Sequence, residues 1–370
     1  MIEQAILDKP VKRIWILGDM HLGVRSSSLE WLEMQRDFYD NQFIPTLLEN
    51  FKDGDILVQV GDIFDNRQSV NIKVLHYVID LFERLGKIMP TYAIAGNHDI
   101  WAKKSNEVSS IDILKWIPNV SIYKEPKTFN WGGREVLLMP WRRDTQHEVE
   151  TLKEYPTAEI LFCHSEVRGI KLNRKVDNQH GVDSESYDRF TAVFSGHIHY
   201  RQRRGKLRMV GTPYELTRSD MDNTKGFDLV NLEDMQETFF ENTISPKFVK
   251  FYLTQVYNMP LGTFKDAIRN NYVDLYVPSN VATTSALSRL INKVQKISRK
   301  IDPNIYEQDT FIDEDLLDME QIEDLYKNYN ILHLCNMYVD NLQHNDAVKL
   351  QIKDRLKKLH DFHAYNNQTD

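Results

Sequence analysis

Cysteine is nearly absent: Cys163 and Cys335 are the only two, and they lie far apart. That excludes a disulfide framework, leaves no thiolate pattern for a structural zinc site, and points to a reducing cytoplasm. No apolar run approaches the ~20 residues that a bilayer-crossing helix needs. Met1 to Arg13 carries Glu3 and Asp8 without an apolar stretch, so no secretory leader is expected. A basic excess is missing too: Lys plus Arg is 46 against 54 Asp plus Glu, a net charge of −8. This argues against a histone-like binder of nucleic acid. It does not exclude a nuclease, because metal ions can supply the positive charge at a site. There are no internal repeats or low-complexity tracts. What remains is 370 residues, 41% hydrophobic and 27% charged, a globular chain with room for two or three domains.

From Val11 to about Asn242, short apolar runs alternate with helical patterns. The runs begin at Ile14, Ile56, Tyr92, Val136, Ile160 and Ala192, are four or five residues long, and read as strands buried on both faces. Leu29 to Asn50 and Ser69 to Leu85 read as helices, the second with Ile72, Leu75, Ile79 and Phe82 on one face. The alternation predicts a layered α/β domain over 11–243. Arg204-Gly205-Lys206 reads as a hairpin turn. Residues 244–300 read as a small α+β domain, with alternating strands around Val249 and Val273 and a helix from Ser285 to Lys300. Residues 301–318 hold Asp302, Glu307, Asp309, Asp313, Glu314, Asp315 and Asp318 with no Lys or Arg, and read as an acidic linker. Residues 319–370 read as two amphipathic helices. Their apolar stripes must pack on the body or on a partner.

The chemistry is written at the ends of the apolar runs. Gly18-Asp19-Met20-His21, Gly61-Asp62-Ile63-Phe64-Asp65, Gly96-Asn97-His98-Asp99, Cys163-His164-Ser165-Glu166 and Gly196-His197-Ile198-His199 each follow one. In α/β sheets the ligand crevice lies beyond the carboxyl ends of the strands. Any one Gly-Asp is an ordinary turn, and a lone His is usually structural. The ordered set is different: carboxylates, an amide and imidazoles suit a pair of Mn, Fe or Zn ions, which suits phosphate-ester hydrolysis.

That ordered set resembles the calcineurin-like metallophosphoesterase superfamily. His21-Leu22-Gly23, Gly61 to Asp65 and Gly211-Thr212-Pro213 are similar to its SbcD branch, the nuclease subunits of two-subunit DNA-repair complexes. Pro118-Asn119-Val120, Pro140-Trp141 and Thr212 to Thr217 resemble tailed-phage recombination nucleases. The resemblance implies a four-layer α/β/β/α core with a small α+β capping domain and C-terminal helices. It implies that Asp19, His21 and His199 hold one metal, that Asn97, His164 and His197 hold the other, and that Asp62 bridges them. His98 would face the scissile phosphate as acid or electrostatic stabiliser, with Asp99 orienting it.

The resemblance further implies two divalent ions, Mn²⁺ ahead of Mg²⁺, and attack by a metal-bridging hydroxide. The activity would be that of a DNA exonuclease and single-strand or hairpin endonuclease. The partners would be DNA, a coiled-coil ABC-type ATPase docked by the C-terminal helices, and a second nuclease subunit, with no membrane. Arg67, Arg201, Arg203 and Arg204 are candidate DNA contacts, although a solvated hairpin and a helix cap read the same way. A phosphoprotein phosphatase or cyclic-nucleotide phosphodiesterase on the same fold stands as the alternative, since the metal chemistry is shared. A non-catalytic subunit that recruits the ATPase is a third, weaker reading.

Overall fold

The computed structural model describes residues 10–102, 105–279, 282, 285–306, 339 and 349–358. All six predicted runs are strands. Arg13–Leu17, Asp55–Gln59 and Thr91–Ile94 lie side by side and parallel in one six-stranded sheet, with Val120–Tyr123 at one edge. Arg134–Met139, Ile160–His164 and Ala192–Gly196 are parallel neighbours in a second six-stranded sheet. The antiparallel strands Gly226–Asn231 and Glu237–Glu241 complete the first sheet at its other edge. The hairpin Gln202–Arg204 and Leu207–Met209 forms the corresponding edge of the second. The Arg204-Gly205-Lys206 turn is therefore where the sequence puts it.

Strand periodicity explains how the layers assemble. Ile14 and Ile16 point one way, with Ile56, Val58 and Ile94, and meet Val136, Leu138, Ile160, Phe162 and Phe194 of the second sheet. Trp15 and Leu17 point the other way, onto Phe38, Leu47, Val78, Leu81 and Leu85 of the helices. On the far side, Leu137, Leu161 and Val193 pack under Leu152, Tyr187 and Phe190. The result is helix, sheet, sheet, helix: the α/β/β/α core that was expected. Among the described residues, no helix is long and apolar enough to cross a membrane.

Several expectations need correction. The helix Ile72–Ile88 buries Val74, Val78, Leu81, Phe82 and Leu85, whereas Ile72 is 81% exposed at its first turn. The buried face is centred on the Val74, Val78, Leu81 and Leu85 stripe, with Leu75 and Ile79 of the predicted one partly buried at its edge. The helix begun at Ser285 ends at Gln295, short of Lys300. Lys300–Tyr306 is the third strand of a small sheet with Phe248–Tyr252 and Tyr272–Pro278. Residues 301–306 are thus strand rather than linker. Asp302, which counts as solvated acid in the sequence, is bound by Arg218 Nη2 at 2.6 Å and Lys300 Nζ at 3.0 Å.

Residues up to Tyr276, with Thr284–Asn304, form one compact unit. Within it, Trp31 stacks on Tyr272 at 5.5 Å, the Phe248 N–H donates to Glu215 Oε2 at 2.6 Å, and Arg218 forks onto Asp274 at 2.6 and 2.7 Å. The second unit comprises Val277–Thr283 and Ile305–Asp370; its described residues include the helical stretch 349–358, where Lys358 pairs with Asp354. Most of the expected acidic linker and of the terminal helices lies outside the described residues.

The two-sheet core makes a stability prediction. Phe162 is fully buried and stacked on Phe194 at 5.2 Å. Phe162→Ala is expected to lower unfolding free energy by about 3–5 kcal/mol in urea titration. Ile72→Ser, on the exposed face, should change it by less than about 0.5 kcal/mol.

Candidate metal centre

The carboxyl ends of the parallel strands open on one crevice, and the motif turns meet there. His21, Asp62 and His197 sit at φ 44°, 55° and 82°, in the left-handed region that non-glycine residues avoid. Such strain costs about 1–3 kcal/mol per residue and clusters where side chains must be aimed at a site. The glycines allow close approach. A Cβ on Gly61 would lie 2.4 Å from His164 Nδ1, and one on Gly196 would lie 2.4 Å from Asp19 Oδ1.

Two sets of nitrogens and oxygens converge. His21 Nε2 and His199 Nε2 stand 2.9 Å apart, grouped with Asp19. His164 Nε2 and His197 Nδ1 both meet Asn97 Oδ1, at 2.9 and 2.8 Å. Asp62 belongs with His164 and His197 and also with His21 and His98, the ligand atoms of each group lying within 4.8 Å of one another. His164 Nδ1 donates to the Val60 carbonyl at 2.8 Å, which leaves Nε2 as its donor atom toward the crevice. The His197 N–H holds Asp19 Oδ2 at 2.9 Å, and the His98 N–H holds Asp62 Oδ1 at 2.8 Å. Every predicted ligand is brought together.

The electrostatics are those of acids and imidazoles packed together in a buried crevice. Burial pushes the Asp19 carboxyl up to about 7, and Asp19 Oδ1 is buried without a hydrogen bond. Burial would likewise raise Asp62, but the neighbouring imidazoles of His164, His21 and His98 hold it far below the carboxylate range. Burial would lower His164, yet Asp62 and Asp19 raise it to about 9. His197 and His199 fall to about 3, first through burial and then through their imidazole neighbours. This favours the neutral, ligating form of these two imidazoles, whereas the buried acids favour a proton on His164 and His21. An orphaned carboxylate oxygen, opposed imidazole nitrogens and a shared aspartate fit a divalent pair.

Two neighbours differ from expectation. Asp99 does not hold the His98 ring. Its carboxylate accepts the backbone N–H groups of Gly96, Phe64 and Ile63 at 2.9, 3.1 and 3.3 Å, tying two ligand turns together. The His98 ring is held instead by the Asp65 carbonyl, 2.6 Å from Nδ1. A carbonyl only accepts, so Nδ1 carries the proton and Nε2 is left free. The Asp65 carboxylate also lies 3.3 Å from His21 Nδ1. Sequence reasoning gave Asp65 no role, although it stands in the quoted motif. Backbone carbonyls that orient imidazoles leave no trace in a sequence.

The candidate DNA contacts divide. Arg201 is a structural residue. It forks onto Asp228 at 2.6 Å through both terminal nitrogens and lies 3.9 Å over Phe239, joining the hairpin to the neighbouring sheet. Arg204 donates to the Gly169 carbonyl at 2.8 Å, and Arg203, though largely exposed, lies 3.9 Å from Glu237 and donates to the Gly205 carbonyl at 3.3 Å. Arg67 is half-buried on the loop that follows Asp65.

Beneath His164 lies Glu148, missed in the sequence. It accepts hydrogen bonds from the Ser165 hydroxyl and from Tyr187 at 2.6 Å, and burial pushes it up to about 7. The folded state therefore binds this proton more tightly than the unfolded chain, whose Glu titrates near 4.5. Stability should fall as pH rises from about 4.5 to about 7 and level off above, by up to about 3 kcal/mol. Glu148→Gln should flatten that slope; urea titrations of both proteins at pH 5 and 7.5, without metal, measure it.

Comparison with known proteins agrees with this geometry. Residues 12–201 match the family described as calcineurin-like phosphoesterase. The chain is similar to exonuclease subunit 1 of Enterobacteria phage T4, 30% identical over 62% of this chain and 68% of that one. It is also similar to putative phosphoesterase 244L of Invertebrate iridescent virus 6, 26% identical over 52% of this chain and 66% of that protein. A third relative, putative phosphoesterase 078R of Invertebrate iridescent virus 3, is 25% identical over 44% of this chain and 49% of its own length.

Proposed function

This chain belongs to the calcineurin-like phosphoesterase family, and on that premise we propose that it is the two-metal nuclease subunit of an SbcCD-like DNA recombination and repair complex. The observation that carries the metal reading is the double membership of Asp62, within reach of His164 and His197 on one side and of His21 on the other. The DNA reading draws support from the phage exonuclease subunit.

In this reading Asp19, His21 and His199 hold one cation, Asn97, His164 and His197 the other, and Asp62 both, with Mn²⁺ ahead of Mg²⁺. Bound divalent ions supply an ionised water at neutral pH and neutralise charge on the phosphoryl oxygens. The chain's own part is positioning and proton transfer. Asp65 fixes His98 through Nδ1–H, so that Nε2 faces the leaving oxygen of a phosphodiester. When the ring is imidazolium, it hands its Nε2 proton to that oxygen and returns to the neutral Nδ1–H tautomer. Asp99 keeps the Asp62 and His98 turns in register. Arg67, Arg203 and Arg204 remain candidates for phosphate contacts, and the 244–306 sheet for capping the DNA.

The stripes between 319 and 370 are proposed to dock the coiled-coil ABC-type ATPase. Trp101 and Trp116, 60% and 80% exposed, support a self-association surface on the segment after Asp99. The setting would be the cytoplasm, the host's if the protein is phage-encoded.

The discriminating assay compares Mn²⁺-dependent release from end-labelled DNA with hydrolysis of a phosphoserine peptide and of cyclic AMP. Release from DNA is expected; turnover of the peptide or cyclic nucleotide with DNA inert would replace this reading by the phosphatase or phosphodiesterase alternative. His98→Ala should bind Mn²⁺ in calorimetry yet lose about 10²–10⁴ in cleavage rate. Asp62→Asn should lose the metal itself. Unchanged cleavage by His98→Ala would remove His98 from its role.

A further inference from the structure

Trp141 stands at the metal centre without a part in holding it. It follows Pro140 at the carboxyl end of Arg134–Met139, the strand beside Ile160–His164. Its ring lies 4.9 Å from that of His197, tilted by 37°, and 6.0 Å from that of His164. The indole is only half-buried, whereas His164 beneath it is fully enclosed.

The backbone around this residue is fixed from both sides. The Trp141 N–H donates to the Ala95 carbonyl at 2.9 Å, one residue before the Gly96-Asn97-His98-Asp99 turn. Its carbonyl accepts from Asn106 Nδ2 and Arg142 Nε, both at 3.2 Å. Arg142 is itself buried and bonded to Glu125 and to the Lys124 carbonyl. The two imidazoles do not need the indole for orientation. His164 is set by the Val60 carbonyl, and His197 by Asn97 and by its N–H bond to Asp19. A rigid, part-exposed aromatic wall at the rim of a phosphodiester site has the properties of a stacking platform. Its ordering cost is already met by the fold, and every base offers it a face.

We propose that Trp141 stacks on an unpaired nucleobase next to the scissile phosphate, so that the site selects nucleotides with an unstacked base over phosphodiesters that lack one. This rests on the nuclease reading above. Stacking of one base is commonly worth a roughly tenfold effect on affinity or more.

The dinucleotide TpT has a single phosphodiester, so the cleaved bond is defined. The test compares kcat/KM of the full chain with Mn²⁺ on TpT and on two versions that carry an abasic residue 5′ or 3′ of that bond. The wild type is expected to prefer TpT over at least one abasic version by about tenfold. Trp141→Ala should shrink that preference to within about twofold, and Trp141→Phe should keep most of it, as a stacking role requires. A wild type that cleaves all three equally overturns the inference without any variant, and so does a preference that survives in a folded Trp141→Ala protein. A wild type that hydrolyses p-nitrophenyl phosphate esters but none of the dinucleotides and no longer DNA overturns both the inference and the nuclease reading beneath it.

Discussion

The structure is organised around an electrostatic conflict in a dry crevice. Asp19, Asp62 and Asp99 are taken almost completely out of water, together with His21 and His164. Removing such groups from solvent is costly unless opposite charge compensates. The strain is visible in opposite directions on neighbouring groups: Asp19 is forced toward its neutral form, Asp62 is held ionised by imidazoles, and His197 and His199 are kept uncharged. Such groups can hold a divalent cation, whose charge would compensate the buried carboxylates. The left-handed backbone at His21, Asp62 and His197 belongs to the same compromise, since those turns are shaped to aim side chains rather than to relax.

Everything around the crevice serves to hold that arrangement still. Two sheets pressed together through Ile14, Ile16, Val58, Phe162 and Phe194 fix where the strand ends lie. Asp99 spans two ligand turns, the Val60 carbonyl chooses the tautomer of His164, and the Asp65 carbonyl chooses that of His98. Glu148, Ser165 and Tyr187 fill the space behind His164 with a closed hydrogen-bond network. These partners fix the tautomer and orientation of each imidazole, as a metal-binding or proton-transferring role would require. The small sheet is fastened to the same body by Glu215, Arg218 and the Trp31–Tyr272 stack.

Charge read from sequence proved a poor guide to availability. Arg201 looked like part of a basic hairpin, and in the fold it is consumed by Asp228. Asp302 looked like linker acid, and it binds Arg218, which joins the small sheet to the turn at 218–220. Both partners lie tens of residues away in the chain, where no local pattern can pair them. Asp99 is similar. The resemblance implied that it would orient the His98 ring, but the turn carries its carboxylate inward to the backbone of Ile63 and Phe64.

The sequence by itself determined the six core strands, the layered α/β class and which side chains stand at the strand ends. Runs of four or five apolar residues can be buried only as interior strands of such a core, and the Gly-linked Asp, Asn and His that follow them have nowhere to point but the crevice at the strand ends. Tertiary structure alone decided which groups orient those side chains, which partners the arginines find, and that an indole from Pro140-Trp141 stands beside His197. Those outcomes depend on carbonyl directions and on contacts between distant segments. None of these has a periodicity or a spacing, so none is written where a sequence can be read.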